Sequence, residues 1–474
     1  MTSEEEFFSS IQPAVDMLMR HAEEGKALRI LTHSDADGIA AGAILSLTAR
    51  RLGLSFKTTC EKRLDEDTVK AVAADSPPIV LLSDIGSGYL DMIKEHLSGS
   101  DVIVLDHHLP VEAEAPNLVH VNPLIHGLDG ARGVSGAGVA YFFSRLVDRR
   151  NVEFSTLGIV GALADQQDKG EKKALLGLNK RIEAEAMEAG LLETTIDLIF
   201  YGYETRPLAR AIAYTTTPFI PGLSGREDRC LAFLKEASIE LKREGRWRAL
   251  RDLSDEEKQT LFSSLSKHLI YEGCDSDSVY DLIGTIYTLT AEEAWTPMRD
   301  GREYSSLLNA CARMEKPGLG LSLCLGDRDA AMKEAEGTLE DYRRQIAEYL
   351  DWVREGGRIK EMENIYALPA EADVNDRIIG VVASILLSMG ILKSPKPIIA
   401  WARADKGLVK VSARGTEDIA AAGVDLGAVM MEAAKGFEGR GGGHDIAAGA
   451  YIPEEREEAF LELVDDLVGK QRNA

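Results

Sequence analysis

Along the first 170 residues, short apolar runs alternate with longer amphipathic stretches. Leu28–Thr32, Ile79–Ser83 and Val102–Leu105 read as buried strands, and Ser55–Thr59 as a short alternating one. Between them, Ile39–Leu52 and an amphipathic stretch ending near Leu97 read as helices. A glycine-rich turn (Gly133, Gly136, Gly138) opens a helix at Val139–Val147, and Leu157–Ala164 predicts another. Strand–helix–strand repetition of this kind predicts a mostly parallel sheet with helices on both faces.

The texture changes from about Thr205 to Gly357. Helical and acidic stretches dominate there (Leu231–Leu253, Asp255–His268, Asp329–Trp352), without clear strand alternation. Alternation resumes from Asn364, with strands at Ile365–Leu368, Pro397–Ala402 and Leu408–Ala413 and a helix at Asp376–Met389. The acidic amphipathic segment Glu454–Leu467 closes the chain. The fold class is therefore α/β. A catalytic-type lobe with a mostly parallel sheet is expected over 1–204, a mainly helical insert over 205–357, and a smaller α/β lobe over 358–474. The longest apolar segment, Ile378–Leu392, falls short of the roughly 20 residues a membrane span needs. It predicts a core helix and no membrane partner.

Composition narrows this picture. A chain of 474 residues exceeds one ordinary core, so two or three domains are expected. Its N-terminus lacks the basic flank and apolar stretch of a secretory signal. Five cysteines, odd in number and without Cys-x-x-Cys, argue against a disulfide framework or a zinc ribbon and fit a reducing cytoplasm. The net charge of −24 should on average repel nucleic acid. Either the substrate is something else, or basic groups are concentrated in one channel while bound cations offset the acidic site.

Candidate chemistry sits straight after the strand-like runs. His33, Asp35 and Asp37 lie in His-Ser-Asp-Ala-Asp-Gly at 33–38, and Asp106-His107-His108 follows Val102–Leu105. Such positions are where open α/β sheets build their sites. Asp35 or Asp37 alone would read as a helix cap, Asp84 alone as a turn residue, and Asp165 alone as a helix end. Adjacent histidines point in different directions, so His107 can bind metal while His108 faces substrate. Four carboxylates with two or three imidazoles suit Mn²⁺ or Mg²⁺ pairs better than structural zinc, and the imidazoles favour Mn²⁺. Near the C-terminus, Gly439-Arg440-Gly441-Gly442-Gly443-His444 offers backbone amides and side-chain donors to an anion, or is a flexible loop without a ligand. Ser412 and Arg414 are further candidate phosphate contacts, as is Arg377 ahead of its apolar helix.

The pattern resembles the DHH phosphoesterase superfamily. The matching blocks are 33–38, Ser-Asp-Ile-Gly at 83–86, Asp106–His108, Gly-Ala-Leu-Ala-Asp at 161–165 and Gly-Gly-Gly-His at 441–444. Within it the chain resembles archaeal RecJ-like exonucleases of the GINS-associated type, as does the segment Leu307–Arg313 with Asn309 and Arg313. There Ala312 stands where glycine is commoner.

The resemblance implies that His33, Asp35 and Asp84 hold one Mn²⁺, and that Asp37, Asp84, His107 and Asp165 hold another, with Asp84 bridging. It implies that His108 faces the scissile phosphate, that no protein nucleophile is needed, and that Asp106 supports the histidines rather than binding metal. Ser412, Arg414, Gly442, Gly443 and His444 would grip nucleotide phosphates. The implied activity is single-strand exonuclease action on DNA, 5′→3′, and on RNA, with the GINS complex of the replicative helicase as partner and a role in replication and repair.

Two other readings compete. A hydrolase of oligoribonucleotides or cyclic dinucleotides would prefer a dinucleotide to a long strand, and the long insert argues against it. A replisome scaffold with a vestigial nuclease would have lost ligands, and here none is missing.

Overall fold

Five segments of the N-terminal half form one all-parallel sheet in the computed structural model. They are β1 (Leu28–His33), β2 (Phe56–Glu61), β3 (Ile79–Ser83), β4 (Asp101–Leu105) and β5 (Leu118–Val121), in the order β2-β1-β3-β4-β5. The structure describes residues 2–215, 220–274, 279–356, 358–370, 375–388, 392, 394–437 and 439–472. Seven helices accompany the sheet: α1 (Ser3–Glu23), α2 (Ala36–Arg51), α3 (Glu66–Ala74), α4 (Leu90–His96), α5 (Gly136–Val147), α6 (Ser155–Ala164) and α7 (Gly177–Glu188).

β3 is buried at every residue, and β1 at all but His33, because parallel strands are covered on both faces. Alternation sends Leu31, Val80, Leu82, Val102 and Val104 against Val69 and Val72 of α3 and Leu90 and Ile93 of α4. Their neighbours along the strands face α2 and α5, which pack on the other side. Helix α2 is buried from Ala36 through Ala49, between β1, α5 and α6, so its apolar character runs all round. Its two buried hydroxyl-bearing residues are satisfied locally: Ser46 Oγ donates to Gly42 O, and Thr48 Oγ1 to Ile44 O, both at 2.7 Å. A substitution such as Ile44→Ala in this helix would cost roughly 2–5 kcal/mol through the cavity left behind.

Two compact units divide the chain: Met1–Thr215 with Gly222–Leu339, and Thr216–Pro221 with Glu340–Ala474. Much of the middle segment thus folds with the N-terminal sheet. The long helix expected at Leu231–Leu253 is instead a shorter one, Glu227–Glu236, followed by a small hairpin of β7 (Lys242–Arg243) and β8 (Arg246–Trp247) after β6 (Leu192–Leu198). Its two-residue turn, Glu244-Gly245, has φ of 51° and 78°, the left-handed pair that hairpin turns favour and a helix excludes. Helix Asp255–Tyr271 begins on a capping box between Ser254 and Glu257. β9 (Ile283–Leu289), which the sequence pattern passes over, pairs antiparallel with β6 across about 90 residues of chain. Helix Gly301–Arg313 then packs on α6 and α2.

The second unit carries β10 (Lys360–Glu361), β11 (Tyr366–Pro369), β12 (Ile398–Ala404), β13 (Leu408–Arg414), β14 (Arg440–Gly443) and β15 (Ala447–Pro453). Their order is β10-β11-β12-β13-β15-β14, antiparallel except between β11 and β12. Val409, Val411, Ala448, Ala450 and Ile452 face a core with Val429 and Met430 of helix Leu426–Lys435 and Phe460 and Val464 of helix Glu457–Arg472. Helix Ile379–Ser388 packs over β12 and β13. It corresponds to the helix expected at Asp376–Met389, of which Met389 lies outside the described residues. Among the described residues, no helix is long and apolar enough to cross a membrane, and all five cysteines are free thiols.

Candidate functional site

Three neighbouring parallel strands end side by side and deliver most of the polar residues singled out above. His33 ends β1, Asp84 follows β3, and Asp106, His107 and His108 follow β4. Asp35 caps α2, its side chain accepting the Gly38 N–H at 2.9 Å, and Asp37 sits in that helix's first turn. Asp165 is the C-cap of α6. Except for Asp106, the structure brings these together in three overlapping triplets whose ligand atoms lie within 4.8 Å: His33, Asp35 and Asp84; Asp37, His107 and Asp165; Asp84, His107 and His108.

Asp84 occupies the centre. It adopts a left-handed φ of 56°, rare outside glycine but tolerated by Asp, and its N–H is held by Leu105 O at 2.9 Å. The residue is 2% exposed, yet neither carboxylate oxygen accepts a hydrogen bond. His107 Nε2 stands 3.1 Å from Oδ1, and His33 Nδ1 3.6 Å from Oδ2. An unsatisfied buried carboxylate is costly, and positive charge is what relieves it. Room for Asp84 comes from Gly136, where a Cβ would lie 2.5 Å from Oδ1. Gly161 does the same for Asp37, whose Oδ1 a side chain there would overlap.

The remaining groups are held by the chain. Asp37 accepts the Gly136 N–H at 2.7 Å and the Ala137 N–H at 3.0 Å, so it also caps α5. His107 Nδ1 lies 2.6 Å from Gly130 O, which fixes Nδ1 as the donor and leaves Nε2 facing the carboxylates. Asp106 is fully engaged: Oδ2 accepts the Ser87 N–H at 2.8 Å, and Oδ1 the His107 N–H and His108 Nδ1, each at 2.8 Å. It braces the histidines and takes no part in the ligand triplets.

Several supporting residues were invisible in the sequence pattern. Gln167 Nε2 donates to Asp165 Oδ2 at 2.8 Å and is held in turn by Asn179 Nδ2 on its Oε1 at 2.7 Å. Asn122 Nδ2 donates to Ser87 Oγ at 2.9 Å and His108 O at 2.8 Å, locking the loop after β4. Only the closeness of Gln167 to Asp165 in sequence could have hinted at its role.

Electrostatics follow from this crowding. Burial, together with the charges of Asp84 and Asp35, pushes the Asp165 carboxyl up to about 6. Burial and the charges of Asp84, Asp165 and Asp35 raise Asp37 well above the usual range. Burial opposes ionisation of Asp35, but His33 beside it holds its carboxyl low. Burial likewise works against charge on His33 and His107, and the surrounding carboxylates overcome it, raising both well above the ordinary value. Without cations the cluster thus keeps protons where positive charge belongs. Its mix of carboxylate and imidazole, with the orphaned oxygens of Asp84, fits divalent cations.

In the second unit, β13 presents Ser412 and Arg414 on one face. A Cβ on Gly380 of helix Ile379–Ser388 would lie 2.7 Å from Arg414 Nη2 and 3.2 Å from Ser412 Oγ, which places both side chains under the first turn of that helix. Arg377 precedes this turn, its N–H on Asn375 Oδ1 at 2.8 Å. The glycine run is the edge strand β14. Register puts Gly442 opposite Gly449 and Gly449 opposite Ser412, so the three share a row. A Cβ on Gly442 would meet nothing within 4 Å, whereas one on Gly443, at φ 137°, would lie 2.6 Å from Ala447 O. His444 closes the hairpin, its N–H on Ala447 O at 2.9 Å.

Comparison with known proteins gives a consistent result. Residues 28–178 match the DHH family N-terminal domain, 200–283 the DHH-CID domain and 363–470 the DHHA1 domain. The chain is 31% identical to the uncharacterized protein MJ0831 of Methanocaldococcus jannaschii over 94% of both. It is 28% identical to the single-stranded-DNA-specific exonuclease RecJ of Thermus thermophilus over 216 residues, 43% of this chain and 30% of that protein. The crystal structure of RecJ with Mn²⁺ from the same organism aligns with a TM-score of 0.59 at 19% identity, covering 97% of this chain and 55% of that one. CDC45 from Entamoeba histolytica aligns with a TM-score of 0.65 at 11% identity, over 98% and 99%. The chain spans about a third of the curated exonuclease's length.

Proposed function

Because the chain belongs to the DHH superfamily of RecJ-like proteins, we propose that it is a Mn²⁺-dependent exonuclease hydrolysing single-stranded DNA, and RNA, from the 5′ end. The observation that carries this reading is Asp84, a buried carboxylate with no hydrogen bond to either oxygen, ringed by His33, Asp35, Asp37, His107 and Asp165. On this reading His33, Asp35 and Asp84 hold one ion, and Asp37, Asp84, His107 and Asp165 the other, with Mg²⁺ the alternative metal. When bound, such a pair supplies charge stabilisation for in-line displacement at phosphorus and a water of lowered pKa.

The chain's own residues then position the substrate. Asp106 anchors His108 through Nδ1 at 2.8 Å, which leaves Nε2 free to donate to a phosphate oxygen. Burial opposes charge on this ring, but Asp106 raises its pKa and favours the protonated donor. Ser412, Arg414, Gly442, Gly443, His444 and Arg377 bind the strand's phosphates through hydroxyl, guanidinium and backbone N–H donors. The cations and these donors together offset the repulsion expected from a net charge of −24.

Purified protein with Mn²⁺ should release nucleotides from end-labelled single strands, and comparing 5′ and 3′ labels fixes the direction. Undiminished activity in EDTA overturns the proposal. We also place the protein with the GINS complex in replication and repair, a reading supported by the CDC45-like fold. Removing 205–357 would take away β9 and a helix packed on α6, so the partnership is better tested by substituting exposed Trp247, Ile270 and Tyr271 and measuring GINS capture.

A further inference from the structure

One row of side chains beside the phosphate contacts has no part in the reaction above. Tyr451 of β15 pairs with Lys410 of β13 on one side and with Arg440 of β14 on the other, so the three form a single cross-strand row. Two residues along lies the row Ser412, Gly449 and Gly442, and two further on Arg414 and Ala447. Alternation puts all three rows on one face, while Val409, Val411, Ala448, Ala450 and Ile452 point into the core. Successive rows are about 7 Å apart.

The chemistry of this face is specific. Lys410 Nζ stands 6.0 Å from the Tyr451 ring centroid, so an aromatic surface already adjoins a cation. Tyr451 and Lys410 are half-buried and Arg440 is exposed. In the middle row Ser412 is covered by helix Ile379–Ser388, whereas at Gly442 a Cβ would meet nothing within 4 Å. Although the chain's net charge is −24, this one sheet face carries three basic residues, Lys410, Arg440 and Arg414. A ring flanked by cations beside backbone-accessible glycines suits a polyanion that carries flat bases.

Resting on the nuclease reading, we infer that Tyr451, flanked by Lys410 and Arg440, is a base-stacking subsite for single-stranded nucleic acid, next to the phosphate contacts of Ser412, Arg414 and Gly442. The ring takes one base, and the two cations meet its neighbouring phosphates. The contact is tolerant of sequence, because every base has a face to stack.

The test is equilibrium binding of fluorescent oligo(dT) and of an abasic strand of equal length to the full chain in EDTA, where no cleavage intervenes. Tyr451→Ala should weaken oligo(dT) binding by roughly tenfold, the scale of one stacked base, and leave the abasic strand unaffected. Tyr451→Phe should bind like wild type. Unchanged oligo(dT) binding by Tyr451→Ala, or equal loss on both strands, overturns the inference and leaves the nuclease reading intact. Wild-type protein that binds neither strand also overturns it. If Mn²⁺-dependent cleavage is absent as well, the nuclease reading falls with it.

Discussion

In the first unit, ligand-capable side chains from β1, α2, β3, β4 and α6 converge on one point, and the oxygens of Asp84 are left without a hydrogen bond. In the second unit, Ser412, Gly449 and Gly442 stand in one register row across the antiparallel strands β13, β15 and β14. The first arrangement stores electrostatic tension that a cation releases. The second stores none, and presents donors by omitting side chains. A metal centre of this kind therefore depends on exact backbone placement, whereas the sheet face depends mainly on what is absent from it.

The largest expected effect tests the tension directly. Asp84→Asn keeps a residue that tolerates the left-handed backbone but removes the central charge. Mn²⁺-dependent activity should fall by more than the roughly 10–100-fold typical of outer-shell changes. Thermal unfolding in EDTA should change little, because losing the charge that faces His33 and His107 is offset by relief of two buried oxygens without hydrogen bonds. A marked drop in metal-free melting temperature would contradict the account of Asp84.

Next comes a matched pair of glycines. Gly136→Ala puts a methyl group 2.5 Å from Asp84 Oδ1. It should destabilise the fold by roughly 1–3 kcal/mol, as overpacking does, and displace the central ligand, lowering activity at limiting Mn²⁺. Gly442→Ala meets open space and should change stability by no more than about 0.5 kcal/mol. Denaturant titration of both variants decides, and equal destabilisation would erase the contrast between the two regions.

Arg414→Ala should weaken strand binding while leaving turnover at saturating strand unchanged. The slope of log affinity against log salt should shrink by about 0.7, the single-strand value for one charge. An unaltered slope would remove Arg414 from the phosphate contacts.

The smallest effect concerns pH. Asp165 is held up to about 6 in the folded protein, against 3.8 for the unperturbed group. Between those values the folded state binds more protons than the unfolded one, so metal-free stability should decline as pH rises toward 7. The size is on the order of 1–2 kcal/mol. Saturating Mn²⁺ should flatten the decline by displacing the proton. Calorimetry across pH 5–7 checks the sign, and a rise in metal-free stability over that range would refute it.

Much of the first unit was legible because its signals are local. Apolar runs too short for helices marked β1, β3 and β4, and polar clusters straight after β1 and β4 marked their ends. Asp84 alone looked like a turn residue, and only the fold shows it at the centre. Gln167, Asn179 and Asn122 escaped notice because a bracing residue needs no repeating pattern, merely one well-placed amide. β9 escaped because its partner lies far away in sequence, and no turn signal joins them. The glycine run offers an anion-binding loop to the reader of a sequence, since glycine is a poor strand former. Its pairing with the small residues of β15 makes it an edge strand instead.

The order β2-β1-β3-β4-β5 has a consequence for how the protein comes into being. The chain visits β1, steps outward to β2, and only then returns to lay β3 against the other side of β1. His33 and Asp84 are therefore joined by a crossover that contains all of β2, and His107 lies one strand further on. A bound cation would be both the reagent of the finished enzyme and a latch on its topology, holding together three strands that meet only when every crossover between them has been made correctly.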